Sequence, residues 1–517
     1  MPNIKLYILA FFPFIISCND SSVQSVEPVS LTNPINLVND DFNKALVDFS
    51  DTLMLSFYNA NNNKLLWLDD SLNLNKKASD LLKFIGDLNA YGLQPAKYFS
   101  EKEFSLLSDI SKDTLLTSTF IVLACDLMWG NSSFESKQSP FRKPKKNKLN
   151  YISGISAKIN NSSISDLLEN CQPKHSQYIS IVNALKVYVK RTGISKNKIK
   201  VPSNKQDSAN HMKFVAKALL IHGFIDSLMI DDTLLKDAIK EFQFEHGLNQ
   251  DGVVGRNTSK LLSRSPFDYY LRAVLALDKW RQKERWAEHR IEINIPEYRL
   301  RYYEGGHEVR THKVIVGNIK AQTIEILDSV EYLVVYPYWY VPRSIINNEM
   351  LPKARKDSSY FRRKGFELLS GRTVINSDNI NYNKAFRYTV RQKGGSSNAL
   401  GLVKFIFPNP SSIYLHDTPS KKLFNKDIRA FSHGCIRLHN PLDLAFEILE
   451  TDGGSYTSKK VKELISNKER TRINLKNKLP IFVHYTLVSA RDSSIIFNED
   501  IYSIDKKSIN SLKEIYK

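Results

Sequence analysis

Apolar residues recur every three to four positions along the first half of the chain and alternate along much of the second half. The first pattern predicts helices and the second half-buried strands. "NKKASDLLKFIGDLNAYGLQPAKYF" (75–99) carries a helical stripe that Gly92 and Pro95 interrupt. "SQYISIVNALKVYVKRTGI" (176–194) repeats the pattern. Residues 41–205 therefore read as a helical scaffold, with no chemistry assigned to it.

Residues 206–265 form a compact unit of three short helices, with turns at Gly223, Gly247 and Gly252. A linking helix occupies 266–288, with "DYYLRAVLALDKWRQKERW" as its body. The period then changes. "HRIEINIPEYRLRYYEGGHEVRTHKVIVG" (289–317) alternates on both sides of Gly305-Gly306, the pattern of a hairpin. "SVEYLVVYPYWYVP" (329–342) reads as a strand pair. "LVKFIFPN" (402–409) and "SSIYLHDTP" (411–419) read as strands joined by a Pro-Asn-Pro turn, and "LPIFVHYTLVSA" (479–490) as a late strand. Residues 289–495 are thus a β-rich domain. The irregular block at about 343–398 is long for a loop, as lids and binding segments are. Residues 496–517 are left as a C-terminal tail. The fold class is multidomain α+β.

The beginning of the chain has another character. Lys5 precedes an apolar run from Leu6 to Ile16, too short for the roughly 20 residues of a membrane-spanning helix and of the size of a signal-peptide core. The run ends "Ile-Ile-Ser-Cys", which resembles a bacterial lipobox. This implies a signal peptide over 1–17, lipidation at Cys18 and a membrane anchor. Residues 18–40, polar and rich in Ser and Asn, suit a flexible tether.

A formal charge of +19 on 517 residues points to a polyanionic neighbour such as anionic lipid or an acidic wall polymer. No zinc-finger spacing or RNP signature accompanies it, so no nucleic-acid partner is assigned.

Of the four cysteines, Cys125 and Cys171 sit in apolar helical stretches, as buried thiols or a disulfide. Cys435, in "AFSHGCIRLHN" (430–440), has no structural partner in view. A nucleophilic thiol needs a base, and backbone N–H groups facing the developing oxyanion. His416, at the end of "SIYLHDTP", is a candidate base. Gly434 admits close backbone approach, and the N–H groups of Gly434 and Cys435 are candidate oxyanion donors. Arg437, two residues on, shares the face of Cys435 on an extended stretch and suits a substrate carboxylate. The same residues allow a zinc site from His416, His433, Cys435 and His439, but with a single thiol and no spacing typical of zinc sites. An inert buried cysteine is the third reading. On chemistry alone, thiol acyl transfer is favoured and its substrate is open.

"IYLHDTP" followed by "RAFSHGCIRLHN" resembles the signature of YkuD-type L,D-transpeptidases, matching at His416, Ser432, His433, Gly434, Cys435 and Arg437. "YPYWYVPRSI", "LPKARKD" and "NALGLVKFIFPN" resemble the larger YcbB-like subgroup, as does the order scaffold, inserted domain, catalytic domain and lid. "AIKEFQFEHGLNQDGVVGRNTSKLL" resembles the type-one peptidoglycan-binding repeat. YcbB-like members can carry Ser where this chain has His433, which marks that position as supporting.

The resemblance implies a periplasmic enzyme of cell wall biogenesis. Cys435 would attack the third-residue carbonyl of a tetrapeptide stem and expel D-alanine. His416 would serve as base, and the thioester would pass to an amine of a neighbouring stem. Tyr414, Trp339 and Arg343 are further candidates for binding substrate or lid. Water as acceptor would give an L,D-carboxypeptidase, and loss of chemistry a wall-binding scaffold. Carbapenems acylate such cysteines, peptidoglycan synthases are candidate partners, and no cofactor or metal is implied.

Overall fold

The computed structural model describes residues 51–130, 140–141, 148–202, 210–229, 231–283 and 286–516. Cys18 and the expected signal peptide and tether lie outside the described residues. Among the described residues no helix is long and apolar enough to cross a membrane.

The scaffold is helical, as its period predicts. Its central helix, Asp109–Trp129, starts at the Ser108 cap and buries residues on nearly every side. The buried Asp113 is satisfied by the Trp67 amide at 2.7 Å and the Tyr58 hydroxyl at 2.9 Å. Cys125 and Cys171 are buried there as thiols, and Cys171 Sγ donates to the Leu167 carbonyl at 3.2 Å.

The three expected helices of the small domain are His211–Ile221, Asp232–Glu245 and Arg256–Leu262. Gln243 ties the loop between the last two. Its amide donates to Asp251 Oδ1 at 2.8 Å and accepts from the Gly252 N–H at 2.9 Å. The domain docks on the β-rich half through Asn249, whose N–H donates to Asp427 at 3.0 Å. Glu499 adds ion pairs with Lys260, Arg264 and Arg272. The linking helix runs Pro266–Arg281, opened by Pro at its first turn and a Ser265–Asp268 capping box. It is buried almost all round, against the helix Ser176–Thr192 and the C-terminal helix Lys506–Ile515. The expected tail, 496–517, is therefore ordered: it completes the strand Ser494–Phe497 and ends in that C-terminal helix. Its Leu512 is buried beside the linking helix.

The strands are β1 (Arg290–Asn294), β2 (Arg299–Glu304), β3 (His307–Gly317), β4 (Ile326–Val335), β5 (Trp339–Tyr340), β6 (Phe366–Ser370), β7 (Thr373–Ile375), β8 (Thr389–Gln392), β9 (Val403–Ile406), β10 (Leu415–His416), β11 (Ala430–Ser432), β12 (Ile436–Leu438), β13 (Thr471–His484), β14 (Val488–Arg491) and β15 (Ser494–Phe497). Nine of them form one sheet in the order β11-β3-β12-β10-β9-β4-β13-β1-β2, and β2 also pairs with β3. That pairing closes the sheet into a barrel and leaves β11 as an extra strand on β3. The barrel is filled by Leu333, Val335, Val403, Phe405, Leu415, Ile436, Leu438 and Ile481, and covered by Leu444, Ala445, Ile448 and Leu449 of the helix Pro441–Asp452.

The hairpin at Gly305-Gly306 forms as expected, between β2 and β3. Residues 329–342 do not form a strand pair. β4 pairs with β13 and β9, while β5 leaves the barrel and pairs with β8. The late strand begins earlier than expected and spans β13, and the end of that stretch belongs to the β14–β15 hairpin, which packs on the linking helix.

The expected insertion is a separate small body. Its first part is helical, as its sequence suggests, through Tyr360–Arg363; its second part supplies β6, β7 and β8, which join β5 from just before the insertion in a four-stranded sheet, β5-β8-β6-β7, with Phe361 and Leu368 in the core of this body. Its base is knotted by the fully buried Asn398, whose amide donates to the carbonyls of Pro337, Gln392 and Lys393 at 3.3, 3.2 and 2.7 Å.

Candidate active site

β10 and β12 run parallel, with Leu415 opposite Ile436 and His416 opposite Arg437. The Ile436 N–H donates to the Tyr414 carbonyl at 3.0 Å, which brings Cys435 level with Tyr414. Side chains two apart on a strand share a face, and so do paired positions of neighbouring strands. Leu415 and Ile436 point into the core, so Tyr414, His416, Cys435 and Arg437 gather on the opposite face. On the other side of β10, β9 adds Lys404 opposite His416.

Cys435 ends a tight loop between β11 and β12. Gly434 has φ of 108°, a conformation that L side chains rarely adopt. The Ser432 hydroxyl braces this turn, accepting from the Gly434 N–H at 3.2 Å and donating to the Cys435 carbonyl at 2.5 Å. Behind it, Asn318 donates its backbone and side-chain N–H groups to the Ser432 carbonyl at 2.9 and 3.0 Å. Thr323 donates to the Gly434 carbonyl at 2.7 Å. The Gly434 N–H is therefore occupied by Ser432, and the expectation that it serves as an oxyanion donor is corrected. The Cys435 N–H has no hydrogen bond among the described residues.

His416 is buried, and its Nδ1 lies 2.5 Å from the Asp417 carbonyl. A carbonyl only accepts, so Nδ1 carries the proton and Nε2 is left as the basic nitrogen. Burial, and then the Arg437 guanidinium, push this imidazole down to about 3. Burial pushes the Cys435 thiol up, against the backbone N–H and hydroxyl of Tyr414 and the charges of Arg437 and Lys404, which favour thiolate. The resting pair is a neutral thiol and a neutral imidazole. Cys435 Sγ also faces the Ser412 carbonyl at 3.9 Å, on a turn tied by Asn409, which donates to the Ile413 carbonyl at 2.7 Å.

The Tyr414 hydroxyl interacts with both the Cys435 thiol and the Trp339 indole, and burial pushes its phenol up. Trp339 thus joins the site through Tyr414. His433 points away from the thiol, and its Nε2 lies 2.6 Å from Glu349 on the insertion. Arg343 donates to the Phe386 carbonyl at 3.2 Å within the insertion, and among the described residues no hydrogen bond or ion pair ties it to Cys435. The four candidate zinc ligands do not converge, and no group of three or more metal-binding side chains occurs among the described residues. Lys404, Glu349, Asn318 and Thr323 were missed by the sequence reading. Only Lys404 left a trace there, as the one charged residue in the apolar strand "LVKFIF".

Residues 288–465 match the family described as the L,D-transpeptidase catalytic domain. Residues 52–185 match the scaffold domain, and 211–262 a "Putative peptidoglycan binding domain". A curated relative from Haemophilus influenzae, named "Putative L,D-transpeptidase", is 34% identical over 221 residues, which are 42% of this chain and 45% of the relative. The chain thus spans about half the length of the curated relative it matches. Among solved structures, the avibactam carbamoyl enzyme of Ldtfm is 10% identical and covers 49% of this chain and 81% of its own, with a TM-score of 0.20. An L,D-transpeptidase from Xylanimonas cellulosilytica is 14% identical and covers 48% and 79%, with a TM-score of 0.16. TM-scores this low support no argument. The domain order agrees with the YcbB-like architecture, and residues 288–465 match the YkuD family of L,D-transpeptidase catalytic domains.

Proposed function

We propose that the protein is a peptidoglycan L,D-transpeptidase with Cys435 as nucleophile and His416 as base. The observation that carries this reading is the fixed tautomer of His416 on the strand face that holds Cys435. His416 Nε2 takes the thiol proton as Sγ attacks the third-residue carbonyl of a tetrapeptide stem. The Cys435 N–H is the backbone donor available to the oxyanion. The tetrahedral intermediate collapses, the C–N bond breaks, and His416 returns its proton to the departing D-alanine amine. The amine of a neighbouring stem then attacks the thioester. Its proton passes to His416 and on to the released thiol, and a third-residue to third-residue cross-link forms.

Two neutral partners suit this chemistry, because the proton moves as the carbon–sulfur bond forms and no buried ion pair is held at rest. Ser432 and Gly434 shape the loop, Tyr414 and Trp339 line the donor site, and Arg437 meets substrate charge. The reading places the protein in a bacterial cell envelope, held to a membrane by lipid at Cys18, with the small domain contacting the wall.

Intact-protein mass spectrometry tests the chemistry. With a tetrapeptide stem, wild type should gain the mass of the stem less D-alanine, and with a carbapenem one drug mass. Cys435→Ala should gain neither. Cross-linked dimers mark an amine as acceptor, and free tripeptide marks water. A folded wild type that gains no mass with either reagent would sink the proposal. Metabolic labelling with a fatty acid, lost in Cys18→Ala, tests the anchor.

A further inference from the structure

Lys404 and Arg437 flank His416 in one row across β9, β10 and β12, because Lys404 pairs with His416 and His416 with Arg437. Both cations are half-buried, and burial is the first cause pulling each below its ordinary range. Neither has a hydrogen-bonding or acidic side-chain partner among the described residues. Among the described residues, the opposite charge acting on each is the Cys435 sulfur when ionised, and Lys404 is also opposed by Arg470. Lys404 Nζ rests over the Tyr414 ring, 5.6 Å from its centroid, which aims it along the face toward the thiol. Two acids tied to the catalytic segments, Asp417 and Glu349, are committed elsewhere. Asp417 pairs with Lys421 at 2.5 Å and accepts from the Leu402 N–H at 2.9 Å, and Glu349 holds His433 at 2.6 Å.

Two partly desolvated cations with no anion are costly to hold. Elsewhere this chain answers the same problem with carboxylates. Arg301 is buried and bound by both oxygens of Glu297 at 2.7 and 2.6 Å. At Cys435 the anion has to arrive with the substrate. We infer that Lys404, together with Arg437, forms a subsite for a donor carboxylate adjacent to the scissile carbonyl, and that Lys404 makes the enzyme selective for donors in which that group is free rather than amidated. The inference rests on the transpeptidase reading for the identity of the donor. In a tetrapeptide stem the carboxylate comes from the departing D-alanine or from the side chain of the third, diamino acid. A Lys ammonium reads either as a point charge.

The full chain in detergent would be given three donors: the parent stem, the stem with its terminal D-alanine amidated, and the stem with the third-residue side-chain carboxyl amidated. Thioester formation is followed by mass. Wild type should prefer the parent over one of the two amides by about ten- to a hundredfold in kcat/KM, the range of a charge-assisted hydrogen bond. The amide it rejects names the source of the carboxylate. Lys404→Met should bring that ratio close to one, and Lys404→Arg should restore most of it. Alkylation of Cys435 by iodoacetamide and an unchanged melting temperature show that the variant is folded.

A wild type that accepts all three donors equally overturns the subsite. So does a Lys404→Met variant that slows all three in proportion. If wild type forms no thioester with any stem, the transpeptidase reading fails separately. Calorimetric binding of the three donors to Cys435→Ala then decides the subsite alone. A preference for the parent that Lys404→Met abolishes supports it, and equal binding overturns it.

Discussion

His416 Nδ1 lies 2.5 Å from the carbonyl oxygen of Asp417, so the proposed base is oriented by the backbone of the next residue instead of by a third side chain. Asp417 itself is held by the Leu402 N–H and by Lys421. A backbone carbonyl cannot be removed by a point mutation, which makes the orienter robust.

The same relationship sets the acid limb of catalysis. The folded imidazole stays neutral down to about 3. The rate of Cys435 acylation should therefore show no fall between pH 7 and 5, where an ordinary histidine base would protonate. His416→Gln should lower the acylation rate by about 10²–10⁴-fold. Stopped-flow acylation across that range, with both chains, checks it.

Ser432 acts on the loop and not on the substrate, since its hydroxyl bridges the Gly434 N–H and the Cys435 carbonyl. Ser432→Ala leaves both without this partner and should cost about 1–3 kcal/mol of stability. It should lower kcat more than it raises KM, because it loosens the nucleophile's backbone. Thermal melting with steady-state kinetics separates Ser432→Ala from Ser432→Thr, which keeps the hydroxyl.

His433 and Glu349 join the catalytic loop to the insertion at 2.6 Å, and both side chains are nearly half exposed. Exposed pairs contribute about 0–1 kcal/mol, so His433→Ala and Glu349→Gln should leave the melting temperature almost unchanged. Their effect should fall on substrate capture, with KM raised and the double variant no worse than either single one. A double-mutant cycle in KM measures the coupling.

Stability should fall as the medium is acidified from about pH 6.5. Burial pulls His416 and His484 to about 3 and His222 to about 4. Each is depressed relative to the unfolded chain, so between pH 6.5 and those values the unfolded state binds the extra proton. Each then destabilises the fold by up to about 1.4 kcal/mol per pH unit of acidification. Glu297 and Glu499, held at about 2 by their arginines, oppose burial successfully and keep their stabilisation above pH 4.5, losing it only further down. Urea midpoints should therefore drop already between pH 6.5 and 5, and His484→Gln should flatten that slope.

The helical half was legible because a stripe at 3.6 residues, a cap and a terminating glycine are local signals. Asn75, Ser108 and the Ser265 capping box all stand where the chain turns into a helix. The hairpin at Gly305-Gly306 was legible for the same reason. The pairing of β4 was not, since "SVEYLVV" carries nothing to say that its neighbours are β13 and β9, both distant in sequence. The sheet inside the insertion was hidden by short strands without clear alternation. The order in the C-terminal segment depends on the linking helix that its Leu512 packs beside.

By itself the sequence singled out the candidate nucleophile, the candidate base and the glycine of the loop, because such a motif is contiguous and its residue types carry the chemistry. Tertiary structure alone decided which groups surround the thiol. It withdrew the Gly434 N–H from the oxyanion and gave it to Ser432, turned His433 toward Glu349, left Arg343 away from the thiol, and brought Lys404 into line with His416 and Arg437. The physical reason is register. Hydrogen bonding between strands sets which side chains stand side by side, and that pairing is formed only when distant segments meet.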